Sequence, residues 1–254
     1  MLPAVRVLVV LPTYNEAPNI VAILRAVRTA LPEAGILVVD DGSPDGTAAI
    51  VEGVGPEIGD LEVLRRPGKA GLGSAYRAGF RWGMEHGFDV CVEMDADFSH
   101  DPAALPGLIA PLSAGYDLVI GSRYVPGGSI PTWSWYRHLL SRGGNVYASV
   151  MLGLGVTDST AGFRAYRTAL LTRMDLDEIR AEGYGFQIEM TYRALQAGAA
   201  VTEVPIRFVD RVAGVSKMSS AIVVEALGLV TLWSVQRMWQ ILRRMWRRTP
   251  RAAG

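Results

Sequence analysis

The chain is short of the residues on which several kinds of chemistry depend. It has one cysteine, Cys91, so an internal disulfide framework is excluded, and its place in the apolar run "DVCVEM" predicts an inert core thiol and a cytosolic setting. Its three histidines, His86, His100 and His138, are scattered, which leaves no zinc constellation. No stretch reaches the roughly 18 uninterrupted apolar residues of a membrane-spanning helix. The opening "MLPAVRVLVVLPTYNE" has neither a basic leader nor a small-residue cleavage site, so it reads as a first strand rather than a signal peptide. Charge of one sign is missing too. Acids and bases balance at 25 each, and nothing in that balance calls for a nucleic-acid partner.

Absent motifs narrow the field further. "GKAGLGSA" contains Gly68, Gly71 and Gly73, yet it is neither the G-x-G-x-x-G of a dinucleotide site nor the G-x-x-x-x-G-K-[ST] of a P-loop. No G-x-S-x-G elbow marks a serine hydrolase. No internal repeat, low-complexity tract or linker divides the core.

What is present is an alternation of two periods. At 254 residues, 50% of them hydrophobic, the chain can bury one full core with an appendage. Val5 to Leu11, apolar except for Arg6, is a run ending at Pro12, which suits a strand buried on both faces. Ile20, Ile23, Leu24, Val27 and Leu31 then recur at helical spacing. "ILVVDDGSPDGT" repeats the pattern, with a helix from about Gly46. "LEVLRR" is a third strand, "GLGSAYRAGFRWGMEHG" a third helix, "DVCVEM" a fourth strand, and "DLVIGSR" a fifth after a helix opening near Pro102. From about Pro126 to Val201 the pattern loosens, with helices around Leu139 to Leu152 and Tyr184 to Ala197, before "VTEVPIRFV" reads as a late strand. The fold class is therefore α/β, a mostly parallel sheet covered by helices on both faces.

In such a sheet, ligands sit beyond the carboxyl ends of the strands. "PTYNE", "DDGSPDG", "DADFSH" and "GSRY" all fall there. Each alone could be an ordinary turn, but four polar tips on one rim suggest a site. Asp95 and Asp97 repel each other unless a cation sits between them, and hard oxygen ligands of this kind suit Mg²⁺ or Mn²⁺ with substrate phosphates completing the shell. A solvated loop with a helix cap at Asp101 fits the short D-x-D equally well.

"LPTYNE", "VVDDGSPDGT", "KAGLGSAYRAGF", "MDADFSHDP", "GSRY", "DSTAGFRAY" and "VPIRFVDRVAGVSK" stand in an order that resembles family 2 glycosyltransferases, most closely the polyprenol-phosphate (dolichol-phosphate) mannose synthases. The likeness runs from Val5 to about Ser220. It implies a GT-A, Rossmann-like fold that takes GDP-mannose and Mg²⁺ or Mn²⁺. On this sequence it implies a nucleotide-sugar site of Pro12, Tyr14, Glu16, Val39, Asp40, Asp41, Lys69, Asp95, Ala96, Asp97, Arg211 and Lys217. The metal would be held by Asp95 and Asp97, with Ser99 as a weak third ligand, directly or through water, where some relatives carry Gln. Arg123, Arg137 and Ser141 would face the acceptor phosphate, and Asp97, Arg123, Arg211 and Lys217 would carry catalysis. Gln187 and Glu189 lie near the site without an assignable role. The implied reaction is an inverting transfer of mannose to a polyprenyl phosphate, with a UDP-sugar donor such as UDP-glucose as the alternative. A nucleotidylyltransferase would need a Gly-rich N-terminal loop with a basic residue, and "LPTYNEAPN" has neither. A nucleotide-sensing module would not need Arg123, Arg211 and Lys217 together.

A prenyl phosphate lives in a membrane, and the end of the sequence supplies a surface for one. No acid follows Glu225, and in "RMWQILRRMWRR" (237–248) the apolar and tryptophan side chains fill one side of a helical wheel and the arginines the other. That is the pattern of a helix lying in a membrane interface, the alternative being a helix packed on its own domain or on a partner. The expected division is a catalytic domain over 1–216 and C-terminal amphipathic helices with a basic tail over 217–254. The expected location is peripheral, at the cytoplasmic face of a membrane, with or without a separate membrane-anchoring protein.

Overall fold

The computed structural model describes residues 5–210 and 226–239. Seven strands form one sheet in the order β3-β2-β1-β4-β6-β5-β7. In chain order they are β1 (Val7–Thr13), β2 (Gly35–Asp40), β3 (Leu61–Arg65), β4 (Val90–Glu93), β5 (Leu118–Ser122), β6 (Arg164–Arg167) and β7 (Val201–Pro205). The helices are α1 (Ile20–Ala30), α2 (Thr47–Ile58), α3 (Leu72–Glu85), α4 (Leu105–Ile109), α5 (Trp135–Leu152), α6 (Thr168–Met174) and α7 (Gly183–Gln196), with α8 over residues 226–239. Neighbouring strands run parallel except for β6, which is antiparallel to both β4 and β5.

The period of two along the strands divides the core between the sheet's faces. Leu8, Val10, Leu37 and Val39 pack with Tyr76 and Phe80 of α3 and Phe186 of α7. Val9, Leu11, Ile36 and Val38 pack with Ile20, Ile23, Leu24 and Val27 of α1 and Val51 of α2. Helix α3 lies close because it presents glycines. A Cβ on Gly79 would stand 2.4 Å from Val10 Cγ1, and one on Gly83 would stand 2.7 Å from Cys91 Sγ. Cys91 is the inert core thiol expected, its pKa pushed by burial to about 12.

The structure shifts two readings. β1 starts and ends two residues late, running through Pro12 to Thr13. Val10 faces β4, since its carbonyl accepts from Met94 N at 3.3 Å. Pro12, two residues on, faces the same way, but the ladder with β4 has already ended at Val10 and Glu93. The missing N–H therefore leaves no gap. The second shift is β6, a strand inside the stretch whose pattern loosens. The helix expected from Pro102 is a short 3₁₀ turn, capped by Asp101 accepting from Ala103 N at 2.9 Å, that leads into α4.

Candidate functional site

The strand tips meet in a cleft of about 630 Å³. Pro12, Tyr14 and Glu16 arrive from the end of β1, Asp41 from β2, and Asp95, Ala96, Asp97 and Ser99 from β4. Lys69 completes this side, with its Nζ over the Tyr14 ring at 4.8 Å. The chain turns sharply after the second aspartate: Phe98 takes a φ of 61°, and Asp97 Oδ1 accepts from Ser99 N at 2.9 Å. Asp95 is oriented by the buried Tyr76 hydroxyl, which donates to its Oδ1 at 3.1 Å.

Two donor-side expectations are placed elsewhere. Val39 is a fully buried core residue. The Asp40 carboxylate pins its own loop, accepting from Thr13 Oγ1 at 3.0 Å, Ser43 N at 3.0 Å and Ser43 Oγ at 2.6 Å. Neither side chain lines the cleft; Asp41, ion-paired to Arg66 at 2.8 Å, does. The glycine loop before α3 is not a phosphate cradle either. The α3 N-terminus is taken by the Glu182 carboxylate, which accepts from Gly73 N at 2.8 Å and Ser74 N at 3.3 Å, as a helix's positive end favours.

Arginines stand across the cleft. Arg123, at the end of β5, is 7% exposed. Its backbone N, Nε and Nη2 donate to the Asp158 carboxylate at 2.9, 2.7 and 2.6 Å, and Nη2 also donates to Thr160 Oγ1 at 2.8 Å. Burial disfavours the Asp158 charge, but Arg123's charge and hydrogen bonds outweigh it and hold the pKa below the usual carboxylate value. Arg137 lies over the Trp133 ring at 4.2 Å and reaches Asp210 at 3.3 Å. Ser141 accepts from the Tyr124 hydroxyl at 2.7 Å. Arg123, Arg137 and Ser141 thus come together as expected. They border an apolar annex of about 80 Å³ formed by Leu140 and Gly144 of α5, Ile188 of α7 and Leu227 and Val230 of α8. Arg123, Trp133 and Arg137 line both the annex and the cleft. Arg211, Lys217 and most of the segment over 237–248 expected to be an amphipathic helix lie outside the described residues.

Gln187 and Glu189 separate cleanly. Gln187 lines the cleft and donates through Nε2 to Glu93 Oε2 at 2.9 Å. Glu189 accepts from Arg193 Nε at 2.8 Å and Ala181 N at 3.1 Å, a structural tie. Beneath the cleft, Arg164 of β6 is fully buried and donates to Ala161 O, Ser159 O, Gln187 O and Thr191 Oγ1. Burial raises the Glu93 pKa to about 7, with Arg164 opposing the shift. Sequence reasoning singled out none of Asp158, Arg164, Glu93 or the cleft-lining His100. Asp158 stood in a quoted segment, "DSTAGFRAY", and only its partner across the fold distinguishes it.

Among the described residues, no three His, Cys, Asp or Glu side chains converge into a metal cage. A cation at Asp95 and Asp97 would draw its remaining ligands from the substrate, which is the usual arrangement for Mg²⁺ at phosphates.

The profile of Glycosyl transferase family 2 matches residues 8–174. The chain belongs to that family. This family 2 glycosyltransferase is 50% identical over 238 residues to an undecaprenyl-phosphate mannosyltransferase of Micrococcus luteus, covering 94% of this chain and 98% of the relative. It is 49% identical over 235 residues to a polyprenol monophosphomannose synthase of Mycolicibacterium smegmatis, covering 92% and 89%. Among solved structures it resembles glucosyl-3-phosphoglycerate synthase of Mycobacterium tuberculosis, with a TM-score of 0.65 at 22% identity, covering 89% of this chain and 79% of that one. The same enzyme with Mn²⁺, UDP-glucose and glycerol 3-phosphate aligns with a TM-score of 0.61, covering 91% and 78%. The fold is the GT-A fold expected.

Proposed function

We propose that this glycosyltransferase transfers mannose from GDP-mannose to a polyprenyl phosphate with inversion, giving polyprenyl phosphomannose and GDP. One observation carries the reading: a single cleft has a carboxylate pair at one side and, at the other, two arginines that also border an apolar annex, where Ser141 joins them. The first suits a nucleotide diphosphate with its cation; the second suits a phosphate bearing a hydrocarbon tail. The two bacterial relatives, named for transfer to undecaprenyl phosphate and for polyprenol monophosphomannose synthesis, support it over most of the chain.

Asp95 and Asp97 would hold Mg²⁺ or Mn²⁺, with Ser99 as a weak third ligand, and the bound ion would offset charge on the departing diphosphate. The acceptor needs no strong base, because a phosphate monoester oxygen is already ionised at neutral pH. Arg123 and Arg137, with Ser141, orient that oxygen towards the anomeric carbon. The new C–O bond forms as the bond to the diphosphate breaks, and the electron pair leaves with GDP. Arg211 and Lys217 belong to the proposal on sequence alone, as further cations between the two phosphate-bearing substrates. The 1–216 and 217–254 division is likewise proposed.

The lipid acceptor places the work at a membrane. Among the described residues, no helix is long and apolar enough to cross one, which supports peripheral attachment. We place it on the cytoplasmic face, with or without an anchoring protein. The test incubates purified protein with labelled GDP-mannose or UDP-glucose, a polyprenyl phosphate, and Mg²⁺, Mn²⁺ or EDTA. Label from GDP-mannose should enter the lipid phase and EDTA should prevent it. Transfer from UDP-glucose instead, or label unaffected by chelator, contradicts the donor or the metal respectively.

A further inference from the structure

Helix α5 is amphipathic the wrong way round. At about 100° per residue, Trp135, Tyr136, Leu139, Leu140, Val146 and Val150 fall within one arc of about 140°. All six face solvent, Trp135 at 77% and Val150 at 72% exposed. The opposite side, turned into the protein, carries Ser141, Asn145 and Ala148, with Leu152 at its end, and Asn145 is hydrogen-bonded to Ser159 and Thr160. A surface helix normally buries its apolar stripe and wets its polar one. Here the sequence has kept large hydrophobic residues on the outside along the whole length of the helix.

The pattern continues on α8. Leu227, Leu232, Val235, Met238 and Trp239 are exposed, and by the same periodicity they too share one arc of about 140°. The two helices are joined on their exposed sides by the Tyr147 and Thr231 hydroxyls, 2.8 Å apart, so the two stripes form one surface. Charge on α5 has one sign. The helix carries Arg137 and Arg142 and no acid, and Arg142 stands beside the apolar arc. The inner side of the same helix supplies Arg137 and Ser141 to the annex.

We infer that the outward faces of α5 and α8 are the surface on which the enzyme rests against an anionic lipid bilayer, with Trp135 and Tyr136 at headgroup depth. This rests on the lipid-phosphate reading of the cleft and deepens it by naming the face that meets the membrane. An apolar face edged by arginine and headed by Trp and Tyr matches an interface of hydrocarbon and anionic headgroups. The position matches as well. A prenyl phosphate rising from such a bilayer would meet the annex between α5, α7 and α8 with its tail and Arg123 and Arg137 with its phosphate, without leaving the lipid.

The test floats the full chain with vesicles of phosphatidylcholine and phosphatidylglycerol, beside the double variant Val146→Asp/Val150→Asp and its uncharged counterpart Val146→Ser/Val150→Ser. Neither valine lines the cleft or the annex. Wild type should float. The Asp pair should bind vesicles about tenfold more weakly, and the Ser pair should lie between, as removing buried apolar area from an interfacial helix predicts. Thermal melts of all three should coincide. Transfer to a long-chain prenyl phosphate in vesicles should fall with vesicle binding, whereas transfer to a short, water-soluble prenyl phosphate should be unchanged. Wild type that fails to float, or variants that float like wild type, overturn the inference. So does a wild-type dimer that the Asp pair converts to monomer with vesicle binding unchanged, since the face would then cover a second copy. Normal flotation with no transfer to either prenyl phosphate sinks the lipid-phosphate reading and leaves the surface standing.

Discussion

Asp158 holds Arg123 at three points, receiving hydrogen bonds from its backbone nitrogen and from both Nε and Nη2 of its guanidinium. Both residues are buried, so the carboxylate is the condition for a fixed cation at this edge of the cleft. Asp158→Asn keeps the shape and removes the countercharge. Stranding a buried charge costs about 3–5 kcal/mol, and urea unfolding should register a loss of that order. In the surviving enzyme, kcat/KM for prenyl phosphate should drop roughly 30-fold or more, while the donor KM changes little.

Asp97 and Tyr76 should separate chemistry from orientation. Asp97→Asn removes a charge proposed to grip the cation, and transfer should fall by roughly a thousandfold, in line with several kcal/mol of lost charge stabilisation. Tyr76→Phe deletes only the hydroxyl that donates to Asp95. Its stability should change by no more than about 1.5 kcal/mol, but half-maximal activity should require more Mn²⁺. The assay is a metal titration of labelled mannose transfer.

Two buried groups beside the cleft pull stability in opposite directions with pH. Glu93 has its pKa raised by burial from 4.5 to about 7. The folded state therefore binds the extra proton, and this contribution to stability is full below 4.5 and is lost as pH rises through about 7. His100 has its pKa lowered by burial from 6.5 to about 4, so its contribution is full above 6.5 and is lost as pH falls through about 4. The windows overlap and the wild-type profile should be flat between them. Glu93→Gln should expose a stability that climbs with pH over that range, and His100→Asn one that declines. Chemical denaturation at several pH values would reveal either slope.

Gly79→Ala places a methyl group 2.4 Å from Val10 Cγ1. Overpacking of this kind costs about 1–3 kcal/mol, despite alanine's better helix propensity. The loss should appear as a lower melting temperature with the substrate KM values unchanged, because the contact lies in the core.

Much of this was legible in residue order. Ile20, Ile23, Leu24 and Val27 announce α1 by spacing alone, and the polar tips after β1, β2, β4 and β5 converge as a parallel sheet requires. β6 was hidden because "RAYR" begins and ends on arginine, and a fully buried Arg164 looks on paper like a surface residue. It lies inside because five oxygens of the fold receive it. Asp40, which the resemblance puts beside the nucleotide, has its carboxylate engaged by Thr13 and Ser43. Long-range partners of this kind leave no periodic trace.

The reversed β6 has one more effect. By standing between β4 and β5 it sets their tips two strand spacings apart, about 9.5 Å. The carboxylates that would grip a leaving diphosphate follow the β4 tip, and the guanidinium that would steer an incoming phosphate follows the β5 tip, so the backbone ladder sets the spacing from which both start.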